Sequence, residues 1–480
     1  MYHTGMGAIQ TTGSAGPSGP RAVRYWAQLL RDPLAAYGAL SRDYGDAVRI
    51  PFSSNHTFFL LSRPEHAEHV FVQHQDRYVK AFTYRPLKAF LGEGLLTSEG
   101  TTWKRHRRLV QPVFSHRHIQ SFAPAIVEAT RARTASWTLG QQIDLAAEMR
   151  TLTMDVIGRV LFGTDLAHEA EPVGQAVTRL QSAMMVAELL PSSFSPETTR
   201  SLATRVIPGL GRAATTLESL VGKIIDARIA APHPEPTDLL DLLLAAGEGE
   251  QPFTREEIQD EVMTLVLAGH ETTANTLTWA LTLLSRYPAA RDRLAAEVDE
   301  VLGDRDPEAA DVDSLVWTQA VVSEAMRLYP PAWTIERDAA VDDDIAGVAV
   351  SAGDTVAISP YLLHRNSEFW PNPEGFDPRR FLPGNDAGRP RYAFLPFGGG
   401  RRICVGAGLA QLEATLALAT LAQTVRLDLM PGAPVRARAD ITLHPRGPVI
   451  ATVVPPVKPG GVVADFSDAR TIGSTASAAG

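Results

Sequence analysis

The chain contains 480 residues, of which 45% are hydrophobic, and it carries a formal net charge of −9. This size and apolar content predict a large buried core, and the acidic balance argues against general nucleic-acid binding. Cys404 is the only cysteine, so the composition excludes an intramolecular disulfide and favours a reducing compartment.

The two ends of the chain differ in composition from the rest. The first twenty residues are rich in Gly, Ser and Thr and contain no apolar block, so they are typical of neither a signal peptide nor a membrane anchor. No later stretch approaches the ~20 apolar residues that span a bilayer. We therefore expect a soluble, cytoplasmic protein with disordered tails at residues 1–20 and 458–480 and a single domain at residues 21–457.

Helical patterns dominate the chain, and strand patterns are confined to short pieces. Turn signals separate these pieces, which predicts small sheets at the margin of a helical body. The candidate strands are residues 47–50, 57–61, 348–358 and 450–454. The predicted fold class is therefore mainly α with small β-sheets, in a single large helical domain.

The first helix with a chemically informative pattern contains Trp103 and Arg107. Four positions separate these residues, so they share a helix face and could both donate hydrogen bonds to one carboxylate. The other basic residues of this segment equally fit a solvent-exposed helix face.

The clearest helix prediction covers residues 254–287, where Pro288 would end the helix. Thr254 and Glu257 form a capping-box pattern at its start. Its middle, residues 262–268, is apolar on nearly every face, which predicts that the helix lies in the interior.

Polar residues interrupt this apolar run between Ala268 and Thr273. Gly269 should cost about 1 kcal/mol relative to alanine in a helix interior, so we expect a reason for it. Ala268, Gly269 and Thr272 share one face and form a notch in which a diatomic ligand could fit, while Glu271 is a candidate proton carrier. The alternative interpretation is structural, because threonine hydroxyls bond back to helix carbonyls and glycine permits close helix packing.

The lone cysteine follows three glycines, two arginines and an isoleucine. An inert core thiol is one interpretation of it. The other is a thiolate ligand: the glycines would let a flat group approach the backbone, Arg401 and Arg402 would help to keep the sulfur ionised, and backbone N–H groups could donate to it. Such a thiolate suits the proximal ligand of a haem iron.

Two other readings of this segment fail on the sequence. A phosphate-binding loop is excluded because no Gly-Lys-Ser/Thr follows the glycines. The absence of Cys-x-x-Cys-His means that a haem would be held without thioether links.

Phe397, Gly400, Arg402, Cys404 and Gly406 reproduce F-x-x-G-x-R-x-C-x-G, which resembles the haem-binding signature of the cytochrome P450 family. Further motifs occur in the family's order, and the resemblance covers residues 21–457. They are the W-x-x-x-R pair, the A/G-G-x-D/E-T sequence of the long helix, the E-x-x-R pair of Glu324 and Arg327, and the pair Arg380 and Phe381.

The resemblance implies a role for each matching residue. Thr272 and Glu271 would deliver protons, and Cys404 would ligate the iron of a non-covalently held haem b. Glu324, Arg327 and Arg380 would form a buried structural triad, although the spacing of the first two alone fits an ordinary surface ion pair. The residues expected to contact the haem are Trp103, Arg107, Ala268, Gly269, Arg337, Phe397, Gly398, Arg402, Cys404 and Gly406.

The implied reaction inserts one oxygen atom from O2 into a C–H bond, or carries out a related oxidation, of a hydrophobic small molecule such as a terpenoid or polyketide of secondary metabolism. Because little chain follows the cysteine helix, we expect a separate ferredoxin or flavodoxin as electron donor. The protein would be a monomer with no nucleic-acid or membrane partner. The alternatives are a peroxide-dependent or isomerising haem-thiolate enzyme and a non-enzymatic haem sensor.

Two surfaces follow from this interpretation. The electron donor would dock on a basic patch formed by Lys104, Arg105, His106, Arg108 and Arg401. The substrate pocket would be mostly apolar, so the substrate should be apolar too. Its expected residues, each of which could equally be ordinary core, are Phe82, Phe90, Leu95, Met185, Ala268, Ala332 and Ile335.

Overall fold

The computed structural model describes residues 15–53, 56–163, 173, 176, 179, 195–246, 252–430, 432 and 434–457. Its α-helices are α1 (Pro20–Arg31), α2 (Pro33–Tyr44), α3 (Pro64–Glu68), α4 (Arg85–Leu91), α5 (Gly100–Val110), α6 (His116–Ser121), α7 (Ala123–Ala135), α8 (Leu145–Phe162), α9 (Pro196–Val206), α10 (Leu210–Ala230), α11 (Leu239–Ala246), α12 (Arg255–Arg286), α13 (Pro288–Leu302), α14 (Val316–Leu328), α15 (Pro360–Leu363) and α16 (Ala407–Thr424).

The strands are shorter and belong to separate small sheets. They are β1 (Ala47–Ser53), β2 (His56–Leu61), β3 (Tyr78–Lys80), β4 (Gln142–Asp144), β5 (Ile335–Ala339), β6 (Asp343–Ile345), β7 (Val348–Val350), β8 (Thr355–Ile358), β9 (Arg426–Leu429), β10 (Ala437–Ala439), β11 (Leu443–Pro445) and β12 (Ile450–Val454). The prediction of a mainly α fold with small β-sheets is confirmed. Among the described residues, no helix has the length and apolar content needed to cross a bilayer.

The long helix α12 crosses the centre of the helical body. The Thr254 hydroxyl accepts from the N–H of Glu257 at 3.1 Å, and the Glu257 carboxylate accepts from the N–H of Thr254 at 2.9 Å, so the capping box is confirmed. Helix α12 packs against α8, α10, α14 and α16, and most of its middle residues are buried. A Cβ on Gly269 would lie 2.6 Å from Cδ1 of Ile157, so this glycine permits the close contact with α8.

The largest sheet has the strand order β1-β2-β8-β5-β3, with β2 and β8 parallel and the other neighbours antiparallel. The single strand predicted at residues 348–358 is wrong. It is two strands, β7 and β8, in different sheets, because the chain turns between them at Gly353 with φ of 90°. The strand predicted at residues 450–454 is confirmed as β12, which pairs with β4 and β9.

The described chain begins before the domain start predicted at residue 21. Ala15 forms a parallel bridge with Val48, and its carbonyl accepts from the N–H of Arg49 at 3.1 Å. Residues 1–14 and the predicted tail at 458–480 lie outside the described residues.

Glu324 and Arg327 of α14 are completely buried and joined by two hydrogen bonds, of 2.6 and 2.8 Å. The Arg327 guanidinium also donates to the carbonyl oxygens of residues 364, 373 and 375. Arg380 completes the group by donating to Glu324 at 3.3 Å. The pair therefore holds the irregular chain that precedes the cysteine segment. This is the buried role that the family resemblance implied, whereas the spacing alone also fitted a surface ion pair.

Replacing Arg327 by leucine should lower the free energy of unfolding by about 3–5 kcal/mol, because Glu324 would stay buried without its cation. The matched control is Arg379→Ala, which removes a side chain that is 41% exposed and paired with Asp377; it should cost under about 1 kcal/mol. Urea unfolding followed by circular dichroism measures both. Equal losses for the two variants would contradict the structural role of the buried pair.

Candidate active site

A cavity of about 400 Å³ lies between α12 and the cysteine segment. Its walls come from the segment before α5, the middle of α12, the start of β5 and the residues around Cys404. The predicted site residues that line it are Phe90, Leu95, Trp103, Arg107, Ala268, Gly269, Glu271, Thr272, Ala332, Ile335, Arg337, Phe397, Gly398, Arg402, Cys404 and Gly406. Residues from three of the sequence motifs thus meet at one place: the Trp103–Arg107 pair, the long-helix sequence and the cysteine signature.

Two residues predicted for the substrate pocket are not part of this wall. Phe82 lies outside the cavity: its ring packs 5.6 Å from Phe52 and 5.3 Å from His56, and its backbone N–H donates to Asp338. These contacts place it against the β-sheet. Met185 lies outside the described residues.

The turn that carries Cys404 is held by its own backbone and by the chain beside it. The N–H of Cys404 donates to the carbonyl oxygen of Phe397 at 3.0 Å, and α16 begins three residues later. Gly400 has φ of 65°, and a Cβ there would lie 1.6 Å from the carbonyl oxygen of Phe71. The close backbone approach to Phe71 therefore accounts for this glycine.

Cys404 lines the cavity and is accessible to solvent there. Burial raises the pKa of its thiol, while the N–H of Gly406 and the positive charge of Arg107 act in the opposite direction. The prediction that Arg401 and Arg402 supply the charge near the sulfur is wrong, because Arg401 pairs with Asp76 at the surface and Arg402 pairs with Glu99. The nearby cation is Arg107, whose Nη1 donates to the carbonyl oxygen of Ile403 at 2.8 Å.

Positive side chains gather at one edge of the cavity. The Arg402 guanidinium lies 4.2 Å from the ring centre of Trp103, and Lys80 and Arg337 are directly opposite each other on the antiparallel strands β3 and β5. Burial and the charges of Arg337 and Arg402 hold the pKa of Lys80 well below its usual value. Burial also lowers the pKa of Arg402, to about 10, although Glu99 opposes this shift.

Such a cluster is suited to the carboxylates of a ligand. Like charges directly opposite each other on a sheet are destabilising, and buried cations need anionic partners. A single sulfur on one wall, apolar walls around it and cations at one edge fit a haem, whose iron takes a thiolate and whose two propionates take cations.

On the opposite wall, Ala268 and Thr272 lie side by side on α12. The Thr272 hydroxyl donates to the carbonyl oxygen of Ala268 at 2.6 Å, so the back-bonding expected of an ordinary helical threonine is present. Both residues also line the cavity together with Glu271. The structure therefore shows the backbone hydrogen bond of the structural interpretation and, at the same residues, the cavity-facing position that the notch interpretation requires.

His444 was not predicted, and it brings a second titratable group towards Glu271. His444 lies on strand β11, which packs on α12. Its Nε2 is 3.0 Å from Oδ2 of Asp440. Burial lowers the pKa of His444, but the hydrogen bond to Asp440 and the negative charges of Asp440 and Glu271 outweigh burial and raise it. Only the tertiary fold brings the strand to the helix, so no sequence spacing pointed to it.

Lys80 and Glu413 are cavity residues that sequence reasoning missed. Lys80 could have been found from the alternation of side chains along a strand, because it lies two residues after the buried Tyr78 and so on the same face. The signal for Glu413 was a lone acid in an apolar helix. Its Oε1 is buried with no hydrogen-bond partner among the described residues, and burial raises the pKa of its carboxyl to about 8.

The predicted docking patch is only partly exposed. His106 is completely buried beside Glu261, so its assignment to the surface is wrong. Arg105 is drawn towards α12, where it pairs with Glu257 and donates to the carbonyl oxygen of Pro252 at 3.3 Å. The exposed basic residues of the patch are Lys104, Arg108 and Arg401.

A family model described as Cytochrome P450 matches residues 17–450. The chain belongs to the cytochrome P450 family. It is 37% identical over 418 residues to cyclooctatin synthase from Streptomyces melanosporofaciens, which covers 86% of this chain and 90% of that protein. It is 34% identical over 439 residues to pentalenene oxygenase from Streptomyces avermitilis. That match covers 90% of this chain and 95% of the relative.

The solved structures agree with this assignment. The crystal structure of the cytochrome P450DA heme domain matches with a TM-score of 0.82 and 26% sequence identity, over 92% of this chain and 98% of that one. The cytochrome P450 fold and the relatives together make the chain a P450 monooxygenase, an oxidoreductase of a family that uses haem iron.

The pKa of Glu413 predicts a pH dependence of this P450's stability. Above about pH 4.5 the unfolded chain releases this proton, whereas the folded chain keeps it up to about pH 8, so stability should fall as the pH rises through this window. Between pH 5 and pH 8 the free energy of unfolding should fall by on the order of 3 kcal/mol because of this group, and Glu413→Gln should remove that fall. Urea unfolding at several pH values measures this.

The control for that experiment is Glu300→Gln, which changes an exposed acid of α13. Its pH profile should follow that of the unmodified protein. A Glu413→Gln profile that also follows the unmodified protein would show that Glu413 is ionised in the folded state.

Proposed function

We propose that the cavity holds haem b without a covalent link and that Cys404 Sγ is the ligand of its iron. The observation that carries this proposal is the cavity itself, which has one sulfur on its wall and a cluster of buried and half-buried cations at its edge. Trp103, Arg107, Arg337 and Arg402 would face the propionates, as the family resemblance implied. Lys80 joins this group because it lies opposite Arg337.

A haem iron with a thiolate ligand supplies activation of O2 and cleavage of the O–O bond. The chain's own contribution is to exclude water, orient the substrate and move protons. Thr272 would release the carbonyl of Ala268 by turning about χ1 and would then present its hydroxyl to the cavity. Glu271 would pass protons to that hydroxyl, and the Asp440–His444 pair, on and beside the strand that packs on α12, would restore them.

The substrate we propose is an apolar small molecule, such as a terpenoid or polyketide of secondary metabolism, into which one oxygen atom is inserted. The described cavity wall on the substrate side is mostly apolar, with Phe90, Leu95, Ala332 and Ile335 contributing. The names of two relatives refer to cyclooctatin and pentalenene, which supports this class.

Electrons would come from a separate acidic ferredoxin or flavodoxin docked near the cysteine segment. Lys104 and Arg108 are exposed on α5, Arg401 is exposed in the cysteine segment, and Arg107 links α5 to the carbonyl of Ile403. A basic patch on a protein with net negative charge would orient such a donor during encounter.

Replacing Cys404 by serine tests the proposed iron ligand. The reduced protein in carbon monoxide should lose the absorption band that is characteristic of a thiolate ligand, because an alcohol oxygen donates far less charge to the iron. Cys404→His is the matched variant, since it keeps a ligand at the same position, and it should give the band of a histidine-ligated haem. Survival of the thiolate band in Cys404→Ser would refute the assignment.

Replacing Thr272 by alanine tests the proposed proton route. Haem content and substrate binding should be unchanged, while at least half of the electrons consumed should appear as hydrogen peroxide. Thr278→Ala is the control, because Thr278 makes the same backbone hydrogen bond on α12, to Ala274 at 2.7 Å, away from the cavity. Product yield per electron is measured for both variants, and normal coupling in Thr272→Ala would exclude this role.

A further inference from the structure

The segment between α4 and α5, residues 92–99, forms one wall of the cavity. Leu95 and Leu96 line the cavity from this segment. It consists of turns and irregular chain, without helix or strand. Its shape therefore depends on contacts with neighbouring elements more than on regular hydrogen bonds of its own.

Two acidic residues near the start of α12 bind the backbone of this segment. The N–H of Glu93 donates to Asp260 Oδ2 at 2.7 Å, and the N–H of Leu95 donates to Glu261 Oε2 at 3.1 Å. A Cβ on Gly94 would lie 2.7 Å from the backbone oxygen of Asp260, so only glycine allows this close approach. The wall is thus attached directly to the long helix.

The second oxygen of Glu261 is bound by His106. His106 Nδ1 lies 2.7 Å from Glu261 Oε1, and neither side chain has any exposed surface. On the other side of the ring, Nε2 lies 3.2 Å from Nη2 of Arg105, and the ring packs edge-on against Phe253 with centroids 5.0 Å apart. The ring is therefore fixed from both sides, and so is the carboxylate that it contacts.

We propose that His106 is a positioning residue that sets the shape of the substrate cavity. It holds Glu261 in the orientation that binds the N–H of Leu95, and through that hydrogen bond it fixes the wall formed by Leu95 and Leu96. The inference rests on the proposed function, because it takes the cavity to be the place where substrate binds.

The physical reason is that a buried carboxylate cannot remain half satisfied. When one partner is removed, it turns towards another donor or draws in water, because leaving the charge unpaired costs more than moving it. Any such turn withdraws the acceptor from Leu95. The irregular wall would yield before the helices do, since segments with few regular hydrogen bonds open at low free energy.

His106→Leu removes this support, and ligand binding to the haem-loaded protein measures the effect. Clotrimazole, which is bulky enough to reach the wall, should bind about tenfold more weakly, whereas imidazole, which needs only the iron, should change less than twofold. Both dissociation constants come from the spectral shift of the ferric haem. Amide hydrogen exchange of residues 92–98, followed by mass spectrometry, should become faster.

Further variants separate positioning from simple stability. His106→Gln keeps an N–H donor near Glu261 and should restore clotrimazole binding to within threefold. Glu261→Leu should weaken clotrimazole binding as much as His106→Leu does, and the double variant should be no weaker than either. Val110→Ala, a buried change on the same helix, should lower stability and leave both dissociation constants unchanged.

Unchanged clotrimazole binding and amide exchange in His106→Leu, or additive losses in the double variant, would overturn the proposal and leave His106 a structural residue. If the unmodified protein gave no spectral shift with imidazole, the proposed haem ligation would fail instead. The exchange of residues 92–98 would still decide the inference about His106.

Discussion

The placement of the Cys404 sulfur under α12 is the constraint on which the rest of the structure depends. Its turn is closed by the hydrogen bond to Phe397, and the close approach of Gly400 to Phe71 fixes where the turn lies. Burial favours the neutral thiol in the absence of a metal. An iron bound to this sulfur, as we propose, would displace a proton, so the thiolate would be stabilised together with the metal.

The cations at the cavity edge show the same dependence on a ligand. Lys80 and Arg337 face each other across two strands, and Arg402 is close enough to lower the pKa of Lys80. A fold selected for stability alone would separate these charges, and the only acid that pairs with Arg402 in the described chain is Glu99. Violations of local rules concentrate at functional sites, and here the proposed propionates would relieve the repulsion.

Features set by short sequence spacing could be predicted, and features set by tertiary contacts could not. The helix at Arg255–Arg286 was found because its cap and its terminating proline are local signals. His106 was misplaced because a basic helix pattern does not show that Glu261 will lie across from one of its residues. Lys80 was missed for the same reason, since its partner strand is over 250 residues away in sequence.

Helix α5 connects the two halves of the proposed site through the geometry of its turns. Trp103 and Arg107 are four residues apart and face the cavity edge and the cysteine segment. His106, one residue earlier than Arg107, is rotated from it by about 100° and reaches α12 instead. A displacement of α5 would therefore move residues proposed to contact the haem and the proposed support of the Leu95 wall together. If the proposed contacts hold, the same helix makes the position of the cofactor and the shape of the cavity interdependent, although no residue of the wall needs to touch the cofactor.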